Sequence, residues 1–202
     1  VYEVDGVNAA AAKYFSFDGV VIYRNEANGE TEIAYYPYAK AGKFTVPDSV
    51  TAIPASAFRR SSIEEVEIPY TVKEIGDDAF YMCYSLGKVT FLPEPENVEV
   101  SGLTIGKNAF GSCYPLKGVV LPKRLHSFET DAFTSCRELK EIGVETGGAF
   151  KSDDGVILKE ESGVYTVYYC PRYREKEYVI TDVKIKKIGE KAFRDCDKLS
   201  KF

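Results

Sequence analysis

Between Thr45 and Phe91 the chain carries an alternation of apolar and polar positions that it then writes several times over. In the second copy Val66 and Ile68 alternate with Glu65 and Glu67, the period of two expected of a half-buried strand. Pro69 ends that strand, because a proline nitrogen cannot donate to a ladder. Val72 and Ile75-Gly76 follow, with Gly76 marking a turn. After Asp77-Asp78, the residues Phe80, Cys83 and Leu86 recur at a spacing of three, so the sequence predicts a short helical or 3-10 turn whose free amides the carboxylates cap. Val89 opens the strand of the next copy.

The same beat is found four more times. Val46-Pro47, Val50, Ile53, Ala57-Phe58 and Ile63 form the first copy, and Pro93 with Ala109-Phe110 the third. Leu121-Pro122, Leu125, Phe128, Ala132-Phe133, Cys136 and Leu139 form the fourth; Val183, Ile188-Gly189, Ala192-Phe193, Cys196 and Leu199 form the last, with Ile180-Thr181 in place of the proline step. Proline and alanine stand ten residues apart in the first, second and fourth copies and sixteen apart in the third, so an acid-rich insertion drawn from Glu94 to Gly102 swells one loop there. A unit of about 22 to 23 residues cannot bury its own apolar side, and its neighbours must stack on it to share one core. The phase of the rings predicts that Phe80, Phe110, Phe133 and Phe193 lie in one buried column.

Two stretches interrupt this rhythm. Val20 to Tyr23 and Glu32 to Tyr36 flank Asn28-Gly29, which reads as a β-hairpin. Asp154-Gly155-Val156-Ile157 repeats Asp18-Gly19-Val20-Val21, and Tyr169-Cys170-Pro171 answers Tyr35-Tyr36-Pro37, a longer period of about 135 residues. The expected organisation is one domain over 1–202: a lead-in at 1–13, in which Ala9 to Ala12 suit a short helix, a hairpin unit at 14–43, four repeats at 44–149, a second hairpin unit at 150–182, and a last, incomplete repeat at 183–202. Aligning CDKLSKF with CYSLGKV puts Phe202 at the position of Val89, where a further strand would begin. The expectation is a piece of a longer surface protein, or end-to-end self-association that covers the last coil.

The strings IPxxVxxIGxxAFxxCxxLxxV resemble the BspA-like leucine-rich repeats of bacterial cell-surface proteins, and the hairpin text ending in Tyr-Pro is similar to a unit such proteins interpose. The likeness covers about residues 14 to 202 and rests on five Ala-Phe pairs together with Cys83, Cys113, Cys136 and Cys196 at one phase; Ser61 stands where the first copy would have its cysteine. The resemblance implies an α/β-type leucine-rich repeat solenoid of mostly short strands with short helical turns, a right-handed superhelix with two interposed β-hairpin units. It also implies an extracellular or cell-surface location and, for some members, adhesion to host proteins.

Composition narrows the function classes. Twenty-six basic and 31 acidic residues give −5 with the signs interleaved, and no basic block of the kind nucleic acid requires is present. No apolar run approaches the roughly 20 residues of a membrane span. The in-phase cysteines stand 30, 23 and 60 residues apart with no Cys-x-x-Cys element, so they read as buried apolar thiols and no metal or other cofactor is expected. Cys170 is out of phase, a free thiol or a bridge. The single histidine, His126, has no nucleophile motif near it, and Asp77-Asp78 and Asp153-Asp154 read as turn residues.

Candidate ligand-binding positions come from two patterns. Tyr35, Tyr36 and Tyr38 in the first hairpin text, and Tyr168, Tyr169 and Tyr173 in the second, alternate so that some rings face outward. Thr45, Glu67, Thr90 and Val120 occupy equivalent outward positions of successive strands and would form a continuous row. The function expected is non-enzymatic recognition or adhesion at the cell surface, with a protein ligand. A structural spacer or a glycan-binding accessory protein is the alternative, and a carboxylate-based glycosidase the third class.

Overall fold

A computed structural model of the chain describes residues 13–96, 100–174, 177–180, 182–194 and 196. The expected helix at Ala9 to Ala12, and Leu199 and Phe202 of the last copy, lie outside the described residues. The chain opens with an antiparallel meander of β1 (Tyr14–Phe17), β2 (Val20–Arg24) and β3 (Thr31–Tyr35). Coils then stack behind it, each contributing two strands. The first strands are β4 (Gly42–Thr45), β6 (Ile63–Ile68), β8 (Lys88–Phe91), β10 (Gly118–Leu121) and β12 (Glu141–Val144). The second strands are β5 (Ala52–Ile53), β7 (Glu74–Ile75), β9 (Leu103–Ile105) and β11 (Leu125–Phe128). A second meander, β13 (Phe150–Asp153), β14 (Val156–Glu161) and β15 (Val164–Tyr169), leads to β16 (Ile185–Ile188).

Second strands and the first meander form one seven-stranded sheet, β1-β2-β3-β5-β7-β9-β11, parallel from β3 onward. First strands form β4-β6-β8 and β10-β12, both parallel, with no ladder joining β8 to β10. The stacking that the short repeat demanded is therefore met by parallel pairing on two sides of the coils, except between β8 and β10, where only the second strands, β9 and β11, are paired. The meanders are three-stranded where the sequence suggested hairpins, because the tight turns fall on Asp18-Gly19, Asp154-Gly155 and Ser162-Gly163, all at positive φ. Positive φ at both central residues is what a two-residue turn between twisted strands needs. Asn28-Gly29 sits instead in a wider loop closed by a 2.8 Å bond from the Asn25 N–H to the Glu30 carbonyl.

The third side of each coil corrects the expected helical turn. Ala79, Tyr81 and Cys83 donate to the carbonyls of Gly76, Asp78 and Phe80, three residues back, while the intervening amides of Asp78, Phe80 and Met82 donate to Lys107, Ala109 and Gly111 of the next coil at 2.7–2.9 Å. Ser56, Phe58 and Arg60 do the same toward Asp77, Ala79 and Tyr81. Asp78 and Met82, like Ser56 and Arg60, have positive φ, so the chain leaves the right-handed helical region before a helical turn closes. The result is a run of linked β-turns whose alternate amides form a ladder between coils. Gly76 is required for that approach: a Cβ there would lie 2.5 Å from the Ala55 backbone nitrogen.

Inside, Phe58, Phe80, Phe110 and Phe133 stack with centroid spacings of 4.5, 5.1 and 5.3 Å and near-parallel planes. Tyr36 caps this column at 4.5 Å from Phe58, and Tyr169 packs against Phe133 at the other end. Phe193 departs from the expected column. It is half-buried and belongs to a second, smaller core around Val156, Leu158, Val167 and Tyr178, because the second meander intervenes between the fourth and last copies. Val183 also departs, being 80% exposed; the Ile185 amide bonds the Asp182 carbonyl just as Val72 bonds Pro69, so Ile185 holds the core phase and Asp182 the proline phase.

The cysteines do more than fill space. Cys83, Cys113 and Cys136 donate their thiols to the carbonyls of Phe58, Phe80 and Phe110 of the preceding coil, at 2.9, 3.3 and 3.0 Å. Cys83, Cys113, Cys136 and Cys170 are free thiols, Cys170 being buried. Burial raises the Cys83 thiol, pushes Cys136 up to about 12 and holds Cys113 well above the usual thiol range. One further tie crosses the coils: Arg124 donates to the carbonyls of Val72 (2.7 Å) and Pro69 (3.4 Å) and stands 3.8 Å from Glu94 of the insertion.

Two outcomes are expected. Phe110→Ala should lower the free energy of urea unfolding by about 3–5 kcal/mol, the cost of removing a large core ring, and a loss near zero would contradict the column. The buried thiols have folded pKa values above their unfolded ones, so they stabilise the fold below about pH 8.5 and lose that contribution as pH rises, the unfolded chain releasing protons first. With Cys136 and Tyr36 both held up to about 12, the urea midpoint should fall steadily from pH 9 to 12; a flat midpoint across that window would show thiols that ionise in the folded state.

Candidate functional site

The two candidate patterns separate once the side chains are placed. Tyr36 and Tyr169 are core residues, 4% and 8% exposed, and present no ring to a ligand. They turn inward because the meander's last strand runs on into the phenylalanine column. Tyr168 is half-buried, its hydroxyl donating to the Phe128 carbonyl at 2.7 Å, and Tyr173 is half-buried beside Arg172. Tyr35 and Tyr38 alone of the six stand out from the surface, 57% and 65% exposed.

The strand row falls into two ladders. Thr45 pairs with Glu67 and Glu67 with Thr90 across β4, β6 and β8, while Val120 pairs with Gly143 across β10 and β12. Its chemistry changes along its length. On β4 and β6 the side chains satisfy one another: Lys43 and Thr45 both reach the Glu67 carboxylate, at 2.6 and 2.7 Å, and Lys88 lies 3.7 Å from Glu65. These hydrogen bonds, Lys43 first, hold the Glu67 carboxyl below its usual range.

Beyond β8 the outward positions become bare. Gly118 and Gly143 stand where earlier strands carry lysine, glutamate and threonine, and Val120 between them is 58% exposed. The unjoined edges of β8 and β10, these glycines, and Ser152 and Gly155 of the second meander enclose a hollow of about 530 Å³. Lys88 stands on one side; Glu141 and Glu145 stand on the other, Glu145 accepting the Lys123 amide at 3.1 Å. Sequence reading singled out Val120 and passed over the glycines, whose absent side chains are the signal.

A second outward ladder had gone unnoticed. Tyr84 and Tyr114, each one residue after a core cysteine, pack with centroids 5.1 Å apart, and the Arg137 guanidinium lies 4.5 Å from the Tyr114 ring centre. No group of three or more His, Cys, Asp or Glu side chains among the described residues is placed to hold a metal ion. No helix among them is long and apolar enough to cross a membrane.

Short coils stacked through parallel strands, with one apolar column inside and freely varied residues outside, define a leucine-rich-repeat solenoid. The chain belongs to the BspA-type leucine-rich-repeat family, whose model matches residues 31–150 and 164–202 in six copies. Among solved structures it is similar to the pneumococcal vaccine antigen PcpA, at a TM-score of 0.62 and 23% identity over 93% of this chain; the likeness spans 52%, about half, of the antigen's length. It is also similar to a leucine-rich repeat protein of Bacteroides capillosus (TM-score 0.56, 23% identity, 66% of this chain and 99% of that one). A third is the T. pallidum leucine-rich repeat protein TpLRR (0.54, 20%, 88% and 86%). At such identities these are likenesses of fold. No curated protein matches the sequence.

A Cβ added at Gly118 would meet nothing closer than the Glu141 carbonyl at 3.7 Å, an ordinary contact. Gly118→Thr should therefore fill part of the hollow while moving the unfolding free energy by no more than about 0.5–1 kcal/mol, on the stabilising side because threonine suits a strand better than glycine. A loss of several kcal/mol in urea unfolding would show that the glycine is needed for the backbone and not for the opening.

Proposed function

We propose that this chain is a non-catalytic recognition module of a bacterial surface protein, and that it engages a protein partner through the face bearing Thr45, Glu67, Thr90 and Val120. The observation that carries this reading is the change along that face. Self-paired charges on β4 and β6 give way to a hollow centred on Val120 and two glycines, with Lys88, Glu141 and Glu145 only at its sides, and an exposed apolar side chain in a recess is what an interface centre is built on. The acidic pair Glu141 and Glu145 favours a segment with a basic residue beside a small apolar one. Belonging to the BspA-type repeat family supports the surface location, as does the likeness of fold to the vaccine antigen PcpA.

The spacer reading draws on a different observation, the mutual satisfaction of Lys43, Thr45 and Glu67, which leaves that end of the face little to offer a partner. Binding separates the two. Against a panel of host extracellular proteins measured by surface plasmon resonance, at least one should bind, and Val120→Asp should weaken it by tenfold or more, about 1.4 kcal/mol. Binding that ignores Val120→Asp moves the site elsewhere; no binding across the panel favours the spacer.

A further inference from the structure

We infer that the other sheet of the coils carries an independent site for a neutral oligosaccharide. The outward row of the seven-stranded sheet runs Tyr14, Tyr23, Glu32, Ala52, Glu74, Thr104, each paired with the next in register. At one end the Tyr14 and Tyr23 rings meet at 5.2 Å and 49°, and with Tyr35 they line an open groove of about 500 Å³. At the other, Glu32, Ala52 and Glu74 border an adjoining recess of about 230 Å³. Tyr23 and Glu32 belong to both, so the two recesses form one track from aromatic rings to carboxylates.

The chemistry selects a sugar. Pyranose rings present C–H faces that pack on exposed aromatic rings, and Tyr14 and Tyr35 are 56% and 57% exposed. The Glu32 and Glu74 carboxylates make no hydrogen bond or ion pair with any described residue, and Ala52 between them leaves room, so hydroxyl donors would find unengaged acceptors two strands apart. A cationic peptide would also suit carboxylates and rings. However, Lys13 already lies 5.7 Å from the Tyr23 ring centre, where a ligand cation would pack, and Lys73 stands at the far end paired with Glu30 at 3.5 Å, so a second cation would have to compete with these lysines and a neutral ring would not. Extended sugar chains follow such a track by placing successive rings along it.

The test is titration of the chain, its amides followed by NMR, with maltohexaose, cellohexaose, xylohexaose and mannohexaose, and separately with hexa-arginine. At least one of the four sugars should shift amides of β2, β3 and β5 at millimolar concentration. Tyr14→Ala and Glu32→Gln, both at exposed or half-exposed positions, should each weaken it about five- to tenfold, while Val120→Asp on the other sheet leaves it unchanged. Silence of all four sugars overturns the inference. So does hexa-arginine occupying the track more tightly than any sugar, or an affinity untouched by Tyr14→Ala with native spectra retained.

Discussion

The fold depends on the backbone pairing made where each coil turns. The carbonyls of Phe58, Phe80 and Phe110 each accept an amide from three residues on in their own turn and a thiol from the cysteine of the next coil, while their own amides donate across to that coil. A buried polar backbone without partners would cost several kcal/mol per group in such an interior. The cost is avoided only if the next coil sits in register, which ties pairing on the third side to the stacking of rings beneath it. Strand ladders on the other two sides then repeat a spacing already set.

This division of labour leaves the outside free. Core phases take one residue type coil after coil, whereas the outward positions on both sheets vary: lysine, glutamate, threonine, glycine and valine on one, tyrosine, glutamate, alanine and threonine on the other. Recognition in such a molecule is a matter of which side chains are omitted as much as which are present. The hollow around Val120 exists because two glycines stand where earlier coils carry long side chains, and the track beside Tyr23 because Ala52 separates two glutamates. Neither requires any change in the scaffold.

The solenoid was legible in the sequence because stacking writes itself as period: strand alternation at Val66 and Ile68, and the Ala-Phe pairs and cysteines of the second, third and fourth copies, were met by buried positions. What misled was spacing three at Phe80, Cys83 and Leu86, which a helical turn and a chain of β-turns share; only the positive φ at Asp78 and Met82 tells them apart, and an Asp before Ala-Phe also suits a helix cap while Met gives no sign of it. Val183 was misassigned because Asp182 occupies a proline position without being proline. For the candidate sites, Tyr35 and Tyr38 could be told from Tyr36 only once the phenylalanine column showed where the meander runs into the core. The row Thr45, Glu67, Thr90 and Val120 was visible by alignment, but its hollow was not, since an absent side chain has no motif.

The most direct measurement of the pairing between coils is native-state hydrogen exchange of the turn amides. Phe58, Phe80 and Phe110 donate to the next coil from beneath the surface, so their amides should exchange only when the whole array unfolds, with the free energy and urea dependence of global unfolding. Exchange of these three amides by local opening, at a free energy well below the global value and insensitive to urea, would contradict the claim that the turns lock the coils together.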